Sequence, residues 1–292
     1  MKLSVCTISF RHQLISLEQI ALWAKCHHFD AIELWGVHAK NMSDFPQYDR
    51  DWLESLGLSV SMLSDYLPLD TQASSAAENA GLFCRLARQW GAKKLRTFSG
   101  SKASADISDE QRALWTKRLR EHCVIADDYG LQLVVETHPN TLADTLASTK
   151  RLIEEVNHPA LRINFDVIHV WEMGSEPVNA FSQLEPKVVH VHLKNVASRK
   201  QLPVFAPANV YAPAGTREGM STLFEGQFDY RRFLCDVFRK STLDWSELDA
   251  SLEWFGPNSI RTLEHDANKL RALALNSDFA ANKLNNSLAP VI

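Results

Sequence analysis

The 292-residue sequence is poor in cysteine and lacks the short motifs of the common nucleotide-binding folds. Its five cysteines are scattered singly, with no CxxC pair. This pattern fits buried thiols in a reducing compartment better than a disulfide framework or a cysteine-rich zinc site. Neither GxGxxG nor GxxxxGK(S/T) occurs anywhere in the chain. A doubly wound sheet that binds a nucleotide is therefore disfavoured.

Long apolar runs and an excess of basic residues are also missing. No stretch approaches the ~20 apolar residues of a membrane helix, and MKLSVCTISFRHQ is interrupted by Arg11 and His12 too early for a signal peptide. The net charge of −4 and the pI of about 6.3 provide no general attraction to a phosphate backbone. We expect a cytoplasmic protein with a small-molecule substrate and no membrane or nucleic-acid partner. A homo-oligomer is left open.

What the chain does contain is a regular alternation of β-branched or aromatic runs with amphipathic segments. The runs predict eight strands, at residues 3–10, 31–37, 59–67, 93–100, 131–138, 161–170, 187–195 and 249–256. Helical patterns follow at residues 16–29, 49–57, 76–91, 109–130, 148–157, 176–184, 228–240 and 259–275. Eight such units predict a single α/β domain, a (β/α)8 TIM barrel over residues 1–275, with a C-terminal extension at 276–292.

Carboxylates and imidazoles stand at the ends of the last four predicted strands. The fifth ends with Glu136 and His138, which share one face of a strand because they are two residues apart. Asp166, His192 and Glu253 occupy the ends of the next three. Because these ends meet at one mouth of a barrel, we expect Glu136, Asp166, His192 and Glu253 to bind one divalent metal ion. The oxygen-rich set suits Mn²⁺ or Mg²⁺, without excluding Zn²⁺ or Co²⁺. Taken singly, each acid could instead cap a helix or pair with a lysine.

Other polar residues lie near the same predicted mouth. His190 is one pleat deeper than His192 and is expected in the core or behind a ligand. Lys194 could stabilise an oxyanion or bind a substrate carboxylate, and Arg96 needs an anionic partner if it points inward. Both could also be surface cations. The loop at residues 197–227 is long enough to be a lid.

The order Glu, Asp, His, Glu on strands five to eight resembles the xylose-isomerase-like barrels of sugar isomerases and epimerases. More narrowly, CTISFRHQLIS, IELWGVHAKN, SDYL, LRTFSG, ETHPNTLADT, VFAPANVYAPAG and SLEWFG resemble the bacterial 3-dehydroshikimate dehydratases of petrobactin siderophore biosynthesis. The resemblance runs from the first strand to the eighth. It implies a metal-dependent barrel that converts 3-dehydroshikimate to 3,4-dihydroxybenzoate (protocatechuate) through an enolate-type elimination of water.

The resemblance also implies a role for each candidate residue. The metal ligands would be the four residues named above, with His138 as the catalytic base and Lys194 as a second catalytic group. The residues expected to contact substrate or shape the pocket are Arg96, Tyr66, Phe205, Tyr211 and Phe255.

Three other functions are compatible with parts of this sequence. An isomerase or epimerase on the same barrel would need a second acid–base group, for which His169 or Glu33 could serve. An abasic-site endonuclease should have more histidine and aspartate ligands and a basic groove. A binding scaffold without catalysis would not need all four ligands and His138.

Overall fold

In the computed structural model, which describes residues 1–275, eight parallel strands close into a barrel and so confirm the predicted (β/α)8 fold. The strands are β1 (Lys2–Cys6), β2 (Ala31–Trp35), β3 (Ser59–Ser64), β4 (Lys94–Thr97), β5 (Gln132–Glu136), β6 (Leu161–Asp166), β7 (Val188–Leu193), β8 (Asn195–Val196), β9 (Met220–Ser221) and β10 (Asp249–Leu252). The barrel order is β1-β10-β7-β6-β5-β4-β3-β2, while β8 and β9 form a separate antiparallel pair. The predicted extension at 276–292 lies outside the described residues.

Helices surround the barrel, and all eight predicted helical segments are present. The helices are α1 (Leu17–Cys26), α2 (Gly36–Asn41), α3 (Arg50–Ser55), α4 (Ala73–Gln89), α5 (Asp109–Asp128), α6 (Leu146–Val156), α7 (Val167–Glu172), α8 (Pro177–Leu184), α9 (Pro207–Tyr211), α10 (Tyr230–Lys240) and α11 (Ser259–Leu275). Short 3-10 turns cover Thr7–Phe10, Glu185–Lys187 and Arg199–Phe205. No helix in residues 1–275 is both long and apolar enough to span a bilayer.

Local sequence signals account for where several helices begin and end. Ser16 and Gln19 form a capping box at the start of α1, in which each side chain accepts a hydrogen bond from the other's backbone N–H. Helices α4 and α5 are each followed by a left-handed glycine, Gly91 with φ of +71° and Gly130 with φ of +70°. A residue with a side chain adopts this conformation less readily, which is why glycine ends both helices.

Several predicted strands were too long. The run 3–10 ends as a strand at Cys6 and continues as a buried 3-10 turn, and the run 161–170 ends at Asp166, where α7 begins. The first residues of α7 are as buried as the strand before them. An apolar run alone cannot distinguish a buried strand from a buried helical turn. His138, Lys194 and Glu253 consequently lie just after their strands rather than on them.

The barrel has an apolar outer layer and a polar interior. On β7, Val191 and Leu193 belong to the apolar core, whereas the alternate residues His190 and His192 contact Glu33, on β2. The interior polar side chains are almost entirely buried. Each of them therefore needs a partner, and the site follows from where those partners lie.

Candidate metal centre and active site

The four predicted metal ligands converge at the C-terminal mouth of the barrel. Asp166 lies beside His192 in the β6–β7 register. The Nδ1 atom of His192 lies 3.6 Å from Glu136 Oε2, 3.7 Å from Asp166 Oδ2 and 3.5 Å from Glu253 Oε2. All four residues are at most 5% exposed. Donor atoms of Asp166, His192 and Glu253 lie within 4.8 Å of one another, close enough to hold one ion.

The hydrogen bonds of His192 leave one ring nitrogen facing the carboxylates. Nε2 lies 2.9 Å from Glu33 Oε2, and a carboxylate accepts, so Nε2 carries the hydrogen in the neutral ring. Nδ1 is buried without a hydrogen-bond partner among the described residues. Its distances to the three carboxylates are longer than hydrogen bonds, and a neutral Nδ1 would face them as a fourth acceptor. A bound cation satisfies this arrangement, and the donor set therefore fits a divalent metal.

The charges of the centre lead to the same conclusion. Glu33, Glu136, Asp166 and Glu253 face two permanent cations, Lys194 and Arg96, which leaves two negative charges when both histidines are neutral. Burial opposes ionisation of Glu136, but Arg96 and His192 lower its pKa to about 2. Burial lowers the pKa of His192, but Glu253, Glu33 and Glu136 outweigh it and raise that pKa well above the usual value. The pocket therefore attracts positive charge, whether from a proton or from a metal ion.

His138 is held between two rings at the edge of this centre. Its ring centroid lies 4.4 Å from that of Phe98 and 4.3 Å from that of His169. Its Nδ1 lies 2.7 Å from the Pro139 carbonyl oxygen, which can only accept, so Nδ1 carries the hydrogen and Nε2 is free to take a proton. Burial, followed by the neighbouring His169, lowers the pKa of His138 to about 3. The imidazole is thus neutral at physiological pH.

Lys194 and Arg96 are both interior cations rather than surface residues. Lys194 Nζ lies 2.6 Å from Asp166 Oδ2 and 2.7 Å from Glu253 Oε2. Arg96 Nε lies 3.2 Å from Glu136 Oε2, yet Nη1 of Arg96 has no hydrogen-bond partner within residues 1–275. A buried guanidinium with a free donor can bind an anionic group that enters the pocket.

Aromatic side chains complete the cavity above the polar centre. Tyr66 and Tyr211 share a hydrogen bond between their hydroxyl groups, and Lys194 Nζ lies over the rings of Phe205 and Phe255 at 5.4 and 5.6 Å. The cavity is lined by Ile8, Tyr66, Arg96, Phe98, Glu136, His138, His169, Lys194, Phe205, Pro207, Val210, Tyr211, Glu253 and Phe255. Every residue predicted to act on or contact substrate is in this set.

The long loop at residues 197–227, the predicted lid, forms the roof of the cavity. Phe205, Val210 and Tyr211 of the loop all line the cavity. Arg11, which follows the first strand, donates from Nε to the Val210 carbonyl at 2.6 Å. The loop is thereby tied to the turn that follows β1, two strands away from β7 in the barrel.

Three residues of the site were missed or left ambiguous by sequence reasoning. Glu33 supports His192 from across the barrel, 159 positions away in the chain. His169 lies at the start of α7, with Nδ1 2.8 Å from Glu172 Oε2, and its ring contacts that of His138 at an angle of 55°. Phe98 is the first residue after β4. Only Glu33 had a sequence signal, since it is the single charged residue in the apolar run AIELW.

Comparisons with known proteins agree with the fold. A family model for xylose isomerase-like TIM barrels matches residues 21–273. The 3-dehydroshikimate dehydratase of Bacillus anthracis is 44% identical over 265 residues, which cover 89% of this chain and 92% of that protein. The crystal structure of the probable 3-DHS dehydratase of petrobactin synthesis from Bacillus anthracis superposes with a TM-score of 0.87 at 42% identity, covering 93% of this chain and 99% of the other.

A more distant structure shares only the fold. The zinc-bound IOLI protein superposes with a TM-score of 0.73 at 16% identity, over 97% of this chain and 99% of the other. The resemblance expected from the sequence motifs is confirmed by the higher-identity matches. This chain belongs to the xylose isomerase-like TIM barrel family.

Proposed function

We propose that this protein is a metal-dependent 3-dehydroshikimate dehydratase that releases water and forms 3,4-dihydroxybenzoate. The observation that carries the proposal is the 44% identity to the Bacillus anthracis dehydratase over nearly the full length of both chains. The site supports it, because a buried donor set for a divalent ion adjoins a neutral imidazole and a free guanidinium donor in one cavity.

The residues of the centre fall into two groups, those that would hold the ion and those that would act on the substrate. Glu136, Asp166, His192 and Glu253 would hold the metal, for which Mn²⁺ or Mg²⁺ is the best match to three carboxylates and one imidazole. When bound, such an ion supplies Lewis-acid stabilisation of negative charge on a substrate oxygen.

His138 is the proposed base. Its Nε2 takes a ring proton beside the substrate ketone, while the Pro139 carbonyl holds the opposite nitrogen in its protonated form. Loss of the β-hydroxyl as water and tautomerisation then give an aromatic ring, which makes the reaction effectively irreversible. The flat product suits a cavity walled by Tyr66, Phe205 and Phe255.

Arg96 and Lys194 are the proposed anion-binding groups. Arg96 offers its unpaired Nη1 to the substrate carboxylate, and its guanidinium is held over the rings of Tyr66 and Phe98, 5.1 Å from each centroid. Lys194 lies between two proposed metal ligands and the Phe205 and Phe255 rings, where it can stabilise charge that develops on the substrate.

The proposal is tested by incubating the purified protein with 3-dehydroshikimate and Mn²⁺ or Mg²⁺. We expect the ultraviolet absorbance of a catechol ring to appear, mass spectrometry to show the loss of one water, and a chelator to abolish both. A product of unchanged mass would indicate the isomerase alternative instead. Glu33 is disfavoured as the second acid–base group of such an isomerase, because it is 0% exposed and does not line the cavity. The similar protein from Bacillus anthracis is involved in petrobactin synthesis, so a siderophore pathway is the proposed destination of the product.

A further inference from the structure

A second polar layer lies directly beneath the four metal-binding candidates, and Glu33 is at its centre. The Glu33 carboxylate is completely buried, with Oε2 2.9 Å from His192 Nε2 and 3.3 Å from His190 Nε2. Its other oxygen accepts a hydrogen bond from the Ser64 hydroxyl. The carboxylate thus accepts hydrogen bonds from Ser64 on β3 and His192 on β7, and a second histidine of β7 lies 3.3 Å from it.

The partners of His190 determine which of its nitrogens faces Glu33. Lys94 Nζ lies 3.3 Å from His190 Nδ1, and an ammonium group can only donate, so Nδ1 is the acceptor. The hydrogen is therefore on Nε2, which faces Ser251 Oγ at 2.7 Å and Glu33 Oε2 at 3.3 Å. Glu33 is held from below by a histidine whose orientation is itself fixed.

The same contacts exclude a second metal site in this layer. Glu33, His190 and His192 offer donor atoms within 4.8 Å of one another. However, both His190 nitrogens already have partners in Lys94 and Ser251, and His192 Nε2 is at hydrogen-bond distance from Glu33. Within residues 1–275 the layer therefore leaves no imidazole nitrogen free to bind an ion beside Glu33.

We propose that Glu33 is a positioning residue, which fixes the ring of His192 so that Nδ1 faces the metal-binding carboxylates. The inference rests on the proposed metal-dependent function and adds to it a residue that touches neither metal nor substrate. A ligating histidine whose other N–H is bound by a carboxylate is oriented and made a better donor. Glu33 supplies that carboxylate from the strand opposite to the ligand.

The test is the dissociation constant of Mn²⁺ for the full-length protein, measured by electron paramagnetic resonance of free Mn²⁺ without substrate. Glu33→Gln keeps the shape of the side chain but removes its negative charge, so the imidazole N–H of His192 is left with a neutral amide oxygen, which is a weaker acceptor than a carboxylate. We expect Mn²⁺ binding about 10- to 100-fold weaker than in the wild type. Saturating Mn²⁺ should restore most of kcat, since Glu33 takes no part in the chemistry.

The matched control is Asp266→Asn, which makes the same acid-to-amide change in a buried carboxylate of α11 that accepts from the Leu223 N–H. Its Mn²⁺ affinity should equal that of the wild type. Circular dichroism checks that each variant is folded. If Glu33→Gln does not fold, Ser64→Ala decides, because it removes only the hydroxyl that orients Glu33 and should give a smaller but measurable loss of affinity.

Two results would overturn the inference. Unchanged Mn²⁺ affinity in the folded Glu33→Gln protein, or in Ser64→Ala if that variant must decide, would show that Glu33 does not position the ligand. A kcat that stays low at saturating Mn²⁺ would assign Glu33 a direct part in the reaction. If the wild type itself bound no Mn²⁺, the proposed metal site would fail first, and the two failures are thereby distinguished.

Discussion

The interior of the barrel contains two polar layers, which share strand β7 but have different balances of charge. The lower layer pairs Lys94 with Asp249 and joins His190 to Ser251, so that cation, anion and neutral groups have partners in the protein. The upper layer gathers Glu136, Asp166, His192 and Glu253, together with two cations, and leaves His192 Nδ1 without a hydrogen bond from any residue in the described range 1–275.

The difference shows how to distinguish a structural polar core from a functional one. Both layers are buried and both contain histidine and acid, so burial and residue type do not separate them. What separates them is whether the donors and acceptors are satisfied within the protein. A buried group left without a partner has a cost in free energy that is offset when a ligand binds.

The largest expected effect is on turnover, and it tests the upper layer. His138→Ala should lower kcat by about 10²- to 10⁴-fold, because it removes the proposed base. Metal affinity should remain, since His138 is outside the ligand set. The control is His122→Ala, which removes a buried histidine of α5 that does not line the cavity. Full activity in the His138 variant would remove this residue from the mechanism.

Removal of one proposed metal ligand should show that metal binding depends on the upper layer. Glu253→Ala should weaken Mn²⁺ affinity by more than about 100-fold, a larger loss than is typical of supporting residues. A wild-type protein at 100 times its dissociation constant gains about 2.7 kcal/mol of stability from the ion. The variant should lose this gain, which a thermal melt with and without Mn²⁺ would measure. An unchanged Mn²⁺-dependent shift would contradict the assignment of Glu253.

A change in the lower layer should instead lower stability. Lys94→Met leaves Asp249 partly buried without its ammonium partner, and breaking such a pair costs about 3–5 kcal/mol. The free energy of unfolding in urea should fall by up to this amount. Mn²⁺ affinity of the folded protein should change less than in Glu33→Gln. If Lys94→Met lost more free energy of Mn²⁺ binding than free energy of unfolding, the distinction between the two layers would be wrong.

A buried carboxylate outside the barrel provides the last test, which concerns only the pH dependence of stability. Burial raises the pKa of Asp266 from the ordinary 3.8 to about 7. The folded state then binds the proton more tightly than the unfolded state, so this group's contribution is present at low pH and is lost as pH rises from about 4 to about 7. The effect is on the order of 1 kcal/mol per pKa unit. Relative to Asp266→Asn, the wild type should lose stability between pH 5 and pH 7.5 in urea unfolding, and parallel profiles would contradict the shift.

The fold could be predicted from the sequence because its signals are local. Alternating apolar runs and amphipathic segments marked all eight strands of the barrel and eight helices, but not the short helices α2, α7 and α9. The boundaries at Cys6 and Asp166 could not be found in this way, since the apolar run continues into a buried helical turn.

The site could be predicted in part, because strand ends share a mouth. That rule brought together Glu136, Asp166, His192 and Glu253, while the roles of His138 and Arg96 came from the motif resemblance and stay predictions. The support of His192 by Glu33 could not be predicted, since it depends on barrel closure and on side-chain contact across the interior. The ring contact between His169 and His138 depends on α7 starting directly after Asp166.

The alternation of inward-facing and outward-facing residues along β7 makes the two layers depend on the same strand. His190 supports the lower layer and His192 belongs to the upper one, and both project from the same inner face of one strand. A one-residue insertion or deletion within β7, before His190, would move both histidines to the opposite face of the strand. Insertions and deletions should therefore be tolerated only in the loops, while this strand can change only by substitution.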